Sequence, residues 1–199
     1  MLRIIRFSEA KIENFIAMSV EHLLNKDILI YPTDTSYGVG TLFNDQSIDK
    51  LNLLKSRPSG KYYSAIVPNI EWIKENLEVN TIQLNILNKY LRGEYTFILN
   101  VKYSKKTLGI RIPDYDLVNR IASKIGEPFT ATSANISGKG DSYSLVDLKN
   151  GILKSKIINK FNILVVDNGQ LSINKKSTVV DLTNPKPIIL RQGSGKFPK

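Results

Sequence analysis

Short apolar runs bounded by polar turns alternate along this chain with stretches whose apolar residues recur at helical spacing. That alternation is the pattern of an α/β domain, a sheet with helices packed on it. Strands are expected over 2–7, 27–31, 63–67, 95–101, 107–112, 128–131, 163–167, 177–182 and 187–191. Ser8 is placed to cap a helix with Ile12, Phe15, Ile16 and Val20 on one face. Asp45 is placed to cap a second helix, ending near Lys55. Asn69 and Asn80 open two more, the second ending at Gly93. Asp114 or Asp116 starts a helix that stops at Gly126, and a last one begins near Leu145. No repeat, low-complexity segment or linker interrupts the 199 residues, so they read as a single domain, with a tail over 193–199 expected to fray.

Composition narrows the chemistry. Cysteine is absent, which excludes disulfides, thiolate nucleophiles and Cys-ligated metal centres. The one histidine, His22, falls mid-helix, so neither a Ser/His/Asp triad nor a histidine zinc site is plausible. The net charge is +10, and all of the excess lies in the second half: residues 101–199 hold 17 basic and 7 acidic groups, residues 1–100 hold 11 of each. Such asymmetry fits a polyanion, either RNA or the phosphates of a nucleotide. Coding bias explains part of it, because Lys (21) far outnumbers Arg (7). No apolar run reaches the ~18–20 residues of a membrane span, and the N-terminus has no signal-peptide pattern, so a cytoplasmic location is expected.

Four segments carry candidate chemistry, each with a plainer reading beside it. Tyr31-Pro-Thr-Asp-Thr-Ser-Tyr-Gly-Val-Gly40 follows a buried strand with a turn dense in hydroxyls and glycine, where open α/β sheets place ligands; it also reads as an ordinary turn. Lys55-Ser-Arg57-Pro-Ser-Gly-Lys61 gathers three cations at a helix end. On extended chain ahead of Pro58, Lys55 and Arg57 would share a face and grip one phosphate; alternatively they only complement the helix dipole. Thr130-Ala-Thr-Ser-Ala-Asn-Ile-Ser-Gly138 offers hydroxyl and amide donors and a glycine free to take positive φ, or it is a polar turn. Ser177-Thr-Val-Val-Asp181 and Ile189-Leu-Arg-Gln-Gly193 read first as strands with Ser177 and Arg191 at their ends. There is no G-x-x-x-x-G-K-[ST] phosphate loop.

Taken in order, these segments resemble the YrdC-like threonylcarbamoyl-AMP synthases. The first is similar to Y-P-T-E-T-x-Y-G-L-G, and Lys55-Ser-Arg57-Pro58 to K-x-R-P. Tyr95-Thr96-Phe-Ile-Leu and Gly109-Ile-Arg111-Ile-Pro113 resemble the T-x-I-L and G-V-R-x-P strands. Ser133-Ala134-Asn135-Ile-Ser137-Gly138 is similar to S-A-N-x-S-G, Ser177–Asp181 reads S-T-V-V-D, and Leu190-Arg191-Gln-Gly193 resembles L-R-x-G. The similarity spans about residues 8–195.

The resemblance implies an open, twisted, mixed and parallel sheet with flanking helices and a concave basic cavity, in the short single-domain form. It implies synthesis of threonylcarbamoyl-AMP and pyrophosphate from L-threonine, bicarbonate and ATP, with Mg²⁺ carried by ATP and no metal ligands from the protein. A separate transferase complex would pass the group to tRNA. The implied catalytic tetrad is Lys55, Arg57, Ser133 and Asn135. ATP would be held by Arg57, Lys61, Thr107, Asn135, Tyr143 and Arg191, and threonine by Thr35, Thr107, Arg111, Ser133 and Ser177. The chain departs from the family pattern at Ile66, where many members carry His, and over Gly93-Glu94-Tyr95, Asp114-Tyr-Asp116, Asp141-Ser-Tyr143 and Asn174-Lys175. Two alternatives stand beside the synthase: a non-catalytic RNA-binding module on the same fold, and a carbamoyl-handling enzyme with a shifted substrate, for which Ile66 is the motive.

Overall fold

The computed structural model describes residues 1–58 and 62–198. In chain order the elements are β1 (Leu2–Arg6), α1 (Ile12–Leu24), β2 (Ile28–Tyr31), β3 (Gly38–Gly40), α2 (Asp45–Lys55), β4 (Ser64–Ile66), α3 (Ile70–Asn76) and α4 (Thr81–Tyr90). Then come β5 (Tyr95–Asn100), β6 (Thr107–Arg111), α5 (Asp116–Ile125), β7 (Phe129–Ser133), α6 (Leu145–Asn150), β8 (Ile163–Asp167), β9 (Thr178–Asp181) and β10 (Ile188–Arg191). The strands form one mixed sheet in the order β1-β8-β2-β3-β7-β4-β6-β5-β9-β10. The β1/β8, β2/β8, β4/β6 and β5/β9 pairs are parallel and the others antiparallel.

Side-chain alternation explains why the central strands are apolar throughout. Ile28 and Ile30 of β2, with Ile163 and Val165 of β8, face α2 and α6 through Leu51, Leu54 and Leu148. Leu29 and Tyr31, with Leu164 and Val166, face α1 and α5 through Phe15, Ile16, Val118 and Ile121. Both faces are covered, so both parities must be apolar. A third cluster joins α3 and α4 to β5, β6 and β9 around Phe97, Leu99, Ile110 and Val180.

The helix boundaries follow local chemistry. Asn69 and Asn80 cap α3 and α4 as expected, Asn80 within a reciprocal capping box with Gln83. Gly126, at φ 75°, ends α5. Asn44, rather than Asp45, caps α2, accepting from the Ser47 amide. Ser8 makes no side-chain cap; a 3₁₀ turn over Glu9–Lys11 precedes α1. The fourth helix ends at Tyr90, short of Gly93.

Two expectations are corrected. The hydroxyl-rich turn after β2 leads into a strand, β3, whose glycines carry no apolar signal. A Cβ on Gly38 would lie 2.7 Å from the Tyr31 ring, so the position that aligns β3 with β2 admits no side chain. The tail does not fray over its described part. The Gly195 carbonyl accepts from Thr178 and Gln192, the Tyr95 hydroxyl donates to the Lys196 carbonyl, and Phe197 packs tilted against Tyr90 and edge-on to Phe97. Among the described residues no helix is long and apolar enough to cross a membrane.

Candidate active site

A cavity of about 490 Å³ opens where the ends of β2, β6 and β7 meet the starts of β4 and β9. Lys55, Arg57, Ser133, Asn135, Thr35, Arg111, Ser177 and Arg191 all line it, so segments distant in sequence converge on one site.

Lys55, the last residue of α2, is 2% exposed and points beneath the end of β7. Its Nζ donates to the Ser133 carbonyl (2.5 Å), the Asn135 carbonyl (2.9 Å) and Asn135 Oδ1 (3.1 Å). Ser133 Oγ donates to the same Oδ1 at 2.9 Å, and Asn135 Nδ2 to the Lys139 carbonyl at 2.5 Å. The Ser137 amide returns to the Lys55 carbonyl. Three tetrad residues thus form one hydrogen-bonded unit. Burial, then the nearby Arg57 and Lys176 charges, draw the Lys55 ammonium down to about 7, with Asp141 opposing.

Arg57 turns elsewhere. The expectation that Lys55 and Arg57 share a face of extended chain fails because Ser56 is left-handed, at φ 50° and ψ 43°. Arg57 donates to the Tyr62 carbonyl at 2.8 Å and lies 4.3 Å above the Tyr63 ring, leaving its buried Nε unpartnered among the described residues. The guanidinium still lines the cavity.

Across the cavity Arg111, at the end of β6, pairs with Asp34 and donates to Thr35 Oγ1 at 3.2 Å. Asp34 Oδ2 also accepts from the Asp114 amide, and its carbonyl accepts from Asn174. Beside this pair, Ser177 Oγ shares a hydrogen bond with Thr96 Oγ1 at 3.0 Å, and Arg191 donates to the Ser177 carbonyl and hydroxyl. Ile66, 2% exposed, forms an apolar part of the wall.

Two expected site residues, Thr107 and Tyr143, are not brought to this cavity. Thr107 is exposed at the far end of β6, four residues and roughly 13 Å from Arg111, because a strand rises about 3.3 Å per residue. Tyr143 does not line the cavity; its hydroxyl donates to the Asn174 carbonyl and its amide to Asp147. Lys61 lies outside the described residues. Ser142, the residue before Tyr143, donates to the Ala134 carbonyl and braces the turn. His22 sits half-buried on α1, its Nε2 3.0 Å from the Ile28 carbonyl and away from the cavity. Sequence reasoning missed Asp34, Tyr63, Asp141 and Lys176. Asp34 and Asp141 lay inside segments already singled out, Tyr63 and Lys176 did not.

A putative threonylcarbamoyl-AMP synthase of Methanocaldococcus jannaschii is 29% identical over 200 residues, 97% of this chain and 92% of that protein. The fold matches crystal structures of P. abyssi Sua5 complexed with L-threonine (TM-score 0.82, 22% identity) and of E. coli YciO (TM-score 0.80, 22% identity). It covers 97% of this chain but 57% of the Sua5 chain, against 98% and 97% for YciO. The family model for Sua5, YciO and YrdC proteins, described as telomere recombination, matches residues 21–193. That model covers most of the chain, and the chain belongs to the Sua5/YciO/YrdC family.

Proposed function

We propose that this chain is an L-threonylcarbamoyladenylate synthase, converting L-threonine, bicarbonate and ATP to threonylcarbamoyl-AMP and pyrophosphate. The observation that carries the reading is the closed Lys55–Ser133–Asn135 unit sharing one cavity with Arg57, Arg111, Ser177 and Arg191. An RNA-binding module has no need of a buried lysine clamped on strand-end oxygens. The relatives named as synthases support the same reading.

In the proposed reaction the threonine amine and bicarbonate give a carbamate and water. A carbamate oxygen attacks the α-phosphorus of ATP, and the bond to the β-phosphate oxygen breaks as pyrophosphate leaves. The nucleophile is already an anion, so positioning and charge neutralisation carry the catalysis. Lys55, Arg57 and Lys61 are assigned to the triphosphate side, Arg191 to the nucleotide, and Ser133 and Asn135 to nucleotide or carbamate oxygens. Thr35, Arg111 and Ser177 are assigned to threonine, with Arg111 facing its carboxylate. Mg²⁺ enters with ATP as part of the substrate. The product is an activated acyl group, and a separate transferase acting on tRNA is the proposed consumer.

The test is pyrophosphate release from ATP and bicarbonate, with and without L-threonine. Release that requires threonine is expected. ATP binding without release, or release best supported by another amino acid, moves the reading to a shifted substrate, for which the Ile66 wall is the structural motive. RNA binding that weakens steeply with salt, in a chain that binds no ATP, moves it to the RNA module.

A further inference from the structure

Six cationic side chains line the cavity: Lys55, Arg57, Arg111, Lys139, Lys176 and Arg191. Among the described residues a single carboxylate, Asp141, lines it with them. Its side chain is 8% exposed, and Oδ1 lies 3.3 Å from the Lys176 ammonium. Oδ1 is nonetheless buried without a hydrogen-bond partner among the described residues. Asp34 is different in kind, because both of its oxygens are engaged, by Arg111 and by the Asp114 amide.

We propose that Asp141 recognises the ribose of the nucleotide, its carboxylate accepting a hydrogen bond from a sugar hydroxyl. The inference rests on reading the cavity as an ATP site. A carboxylate is only an acceptor, so it needs a donor, and it repels the phosphates that its neighbours attract. ATP offers donors in its ribose hydroxyls and in the base amine. The ribose offers two neighbouring hydroxyl donors, and Asp141 lines the same cavity as Lys55, assigned to the phosphates, and Arg191, assigned to the nucleotide. In a nucleoside triphosphate the sugar lies between phosphate and base. A direct Mg²⁺ ligand fits less well, because the Lys176 ammonium already stands against Oδ1 and would repel a divalent ion. A neutral hydroxyl meets no such penalty, and its bond to an ionised acceptor is of the stronger class.

The experiment is calorimetric titration of the full chain and of Asp141→Ala with ATP, 2′-dATP, 3′-dATP and inorganic tripolyphosphate, each with and without Mg²⁺. In the unsubstituted chain at least one deoxy analogue is expected to bind roughly 10-fold or more weakly than ATP. In Asp141→Ala that ratio collapses toward one, while tripolyphosphate binds as well or more tightly. The opposite signs separate recognition from misfolding, which would weaken every ligand alike. Equal binding of ATP and both deoxy analogues to the unsubstituted chain overturns the inference without any variant. So does an Asp141→Ala chain that keeps its ratio, one that loses all four ligands in parallel, or one that loses only the Mg²⁺ effect. Failure of the unsubstituted chain to bind ATP at all overturns the nucleotide reading and this inference with it.

Discussion

Lys55 and Arg111 are buried cations on opposite walls of one cavity, and they are stabilised in different ways. Lys55 rests on three neutral oxygens, two of them backbone carbonyls. Arg111 rests on a carboxylate, with Thr35 alongside. The first charge is solvated by dipoles and touches no carboxylate among the described residues, Asp141 acting on it only from beyond contact. The second is compensated before any ligand arrives. A polyanion therefore gains most at the Lys55 wall, whereas a ligand carboxylate reaching Arg111 must share it with Asp34. The two walls suit different ligands even though both are basic.

The largest expected effect breaks the Arg111 side. Asp34→Ala leaves a buried guanidinium without its counter-charge and strips the Asp114 amide of its acceptor. Removing one partner of a buried pair costs about 3–5 kcal/mol, whereas removing both together is far milder. Denaturant unfolding should show that loss in Asp34→Ala and substantial recovery in the Asp34→Ala, Arg111→Met double variant. A single variant as stable as the parent would mean that Asp34 does not compensate Arg111.

On the other wall, Lys55→Ala should lower threonine-dependent pyrophosphate release by about 10²–10³, the usual cost of one lost electrostatic donor at a phosphoryl centre. Circular dichroism should remain that of the parent. Near-normal turnover would remove Lys55 from the proposed machinery.

The contrast between the walls was only partly legible in the sequence. Ser133 and Asn135 could be picked out because they follow a strand end among small residues, and Lys55 and Arg57 because they gather at a helix end before Pro58. Strand positions 28–31 and 163–167 were legible because burial on both faces demands unbroken apolar sequence. The Asp34–Arg111 pair was not, since it joins residues 77 apart and nothing in either segment names the other. Thr107, carried over from the family resemblance, lies at the other end of the strand that ends in Arg111, and a shared strand does not mean a shared end. The third strand stayed hidden because its glycines answer to the Tyr31 ring, a demand visible only in three dimensions.

The chain end was misread in the same way, and it sharpens the comparison because it anchors only the Arg111 side. Thr178, next to Ser177, donates to the Gly195 carbonyl, and Phe197 closes over Tyr90 and Phe97 with ring centroids at 5.0 and 6.1 Å. Phe197→Ala removes a half-buried ring and should cost about 2 kcal/mol, less than a fully buried Phe. That corresponds to a Tm lower by roughly 4–8 °C in a domain of this size. An unchanged Tm would restore the frayed tail.

The smallest expected effect tests the comparison most directly. Because Lys55 is drawn down to about 7 by burial and by Arg57, it is largely neutral at pH 8 in the free chain. Unfolded lysine keeps its proton up to about 10.5, so the unfolded state binds more protons across that window. This group therefore makes stability rise with pH from about 7 toward 10.5. A bound triphosphate favours the ammonium, so ATP binding at pH 8 should take up as much as about one proton and weaken up to roughly tenfold per pH unit above 7. Titrations in buffers of different ionisation enthalpy measure that uptake. It should vanish near pH 5, where Lys55 is already charged, and in Lys55→Arg, whose guanidinium keeps its proton. Binding without uptake at pH 8 would mean that the three oxygens around Nζ already hold the proton, leaving Lys55 as compensated as Arg111.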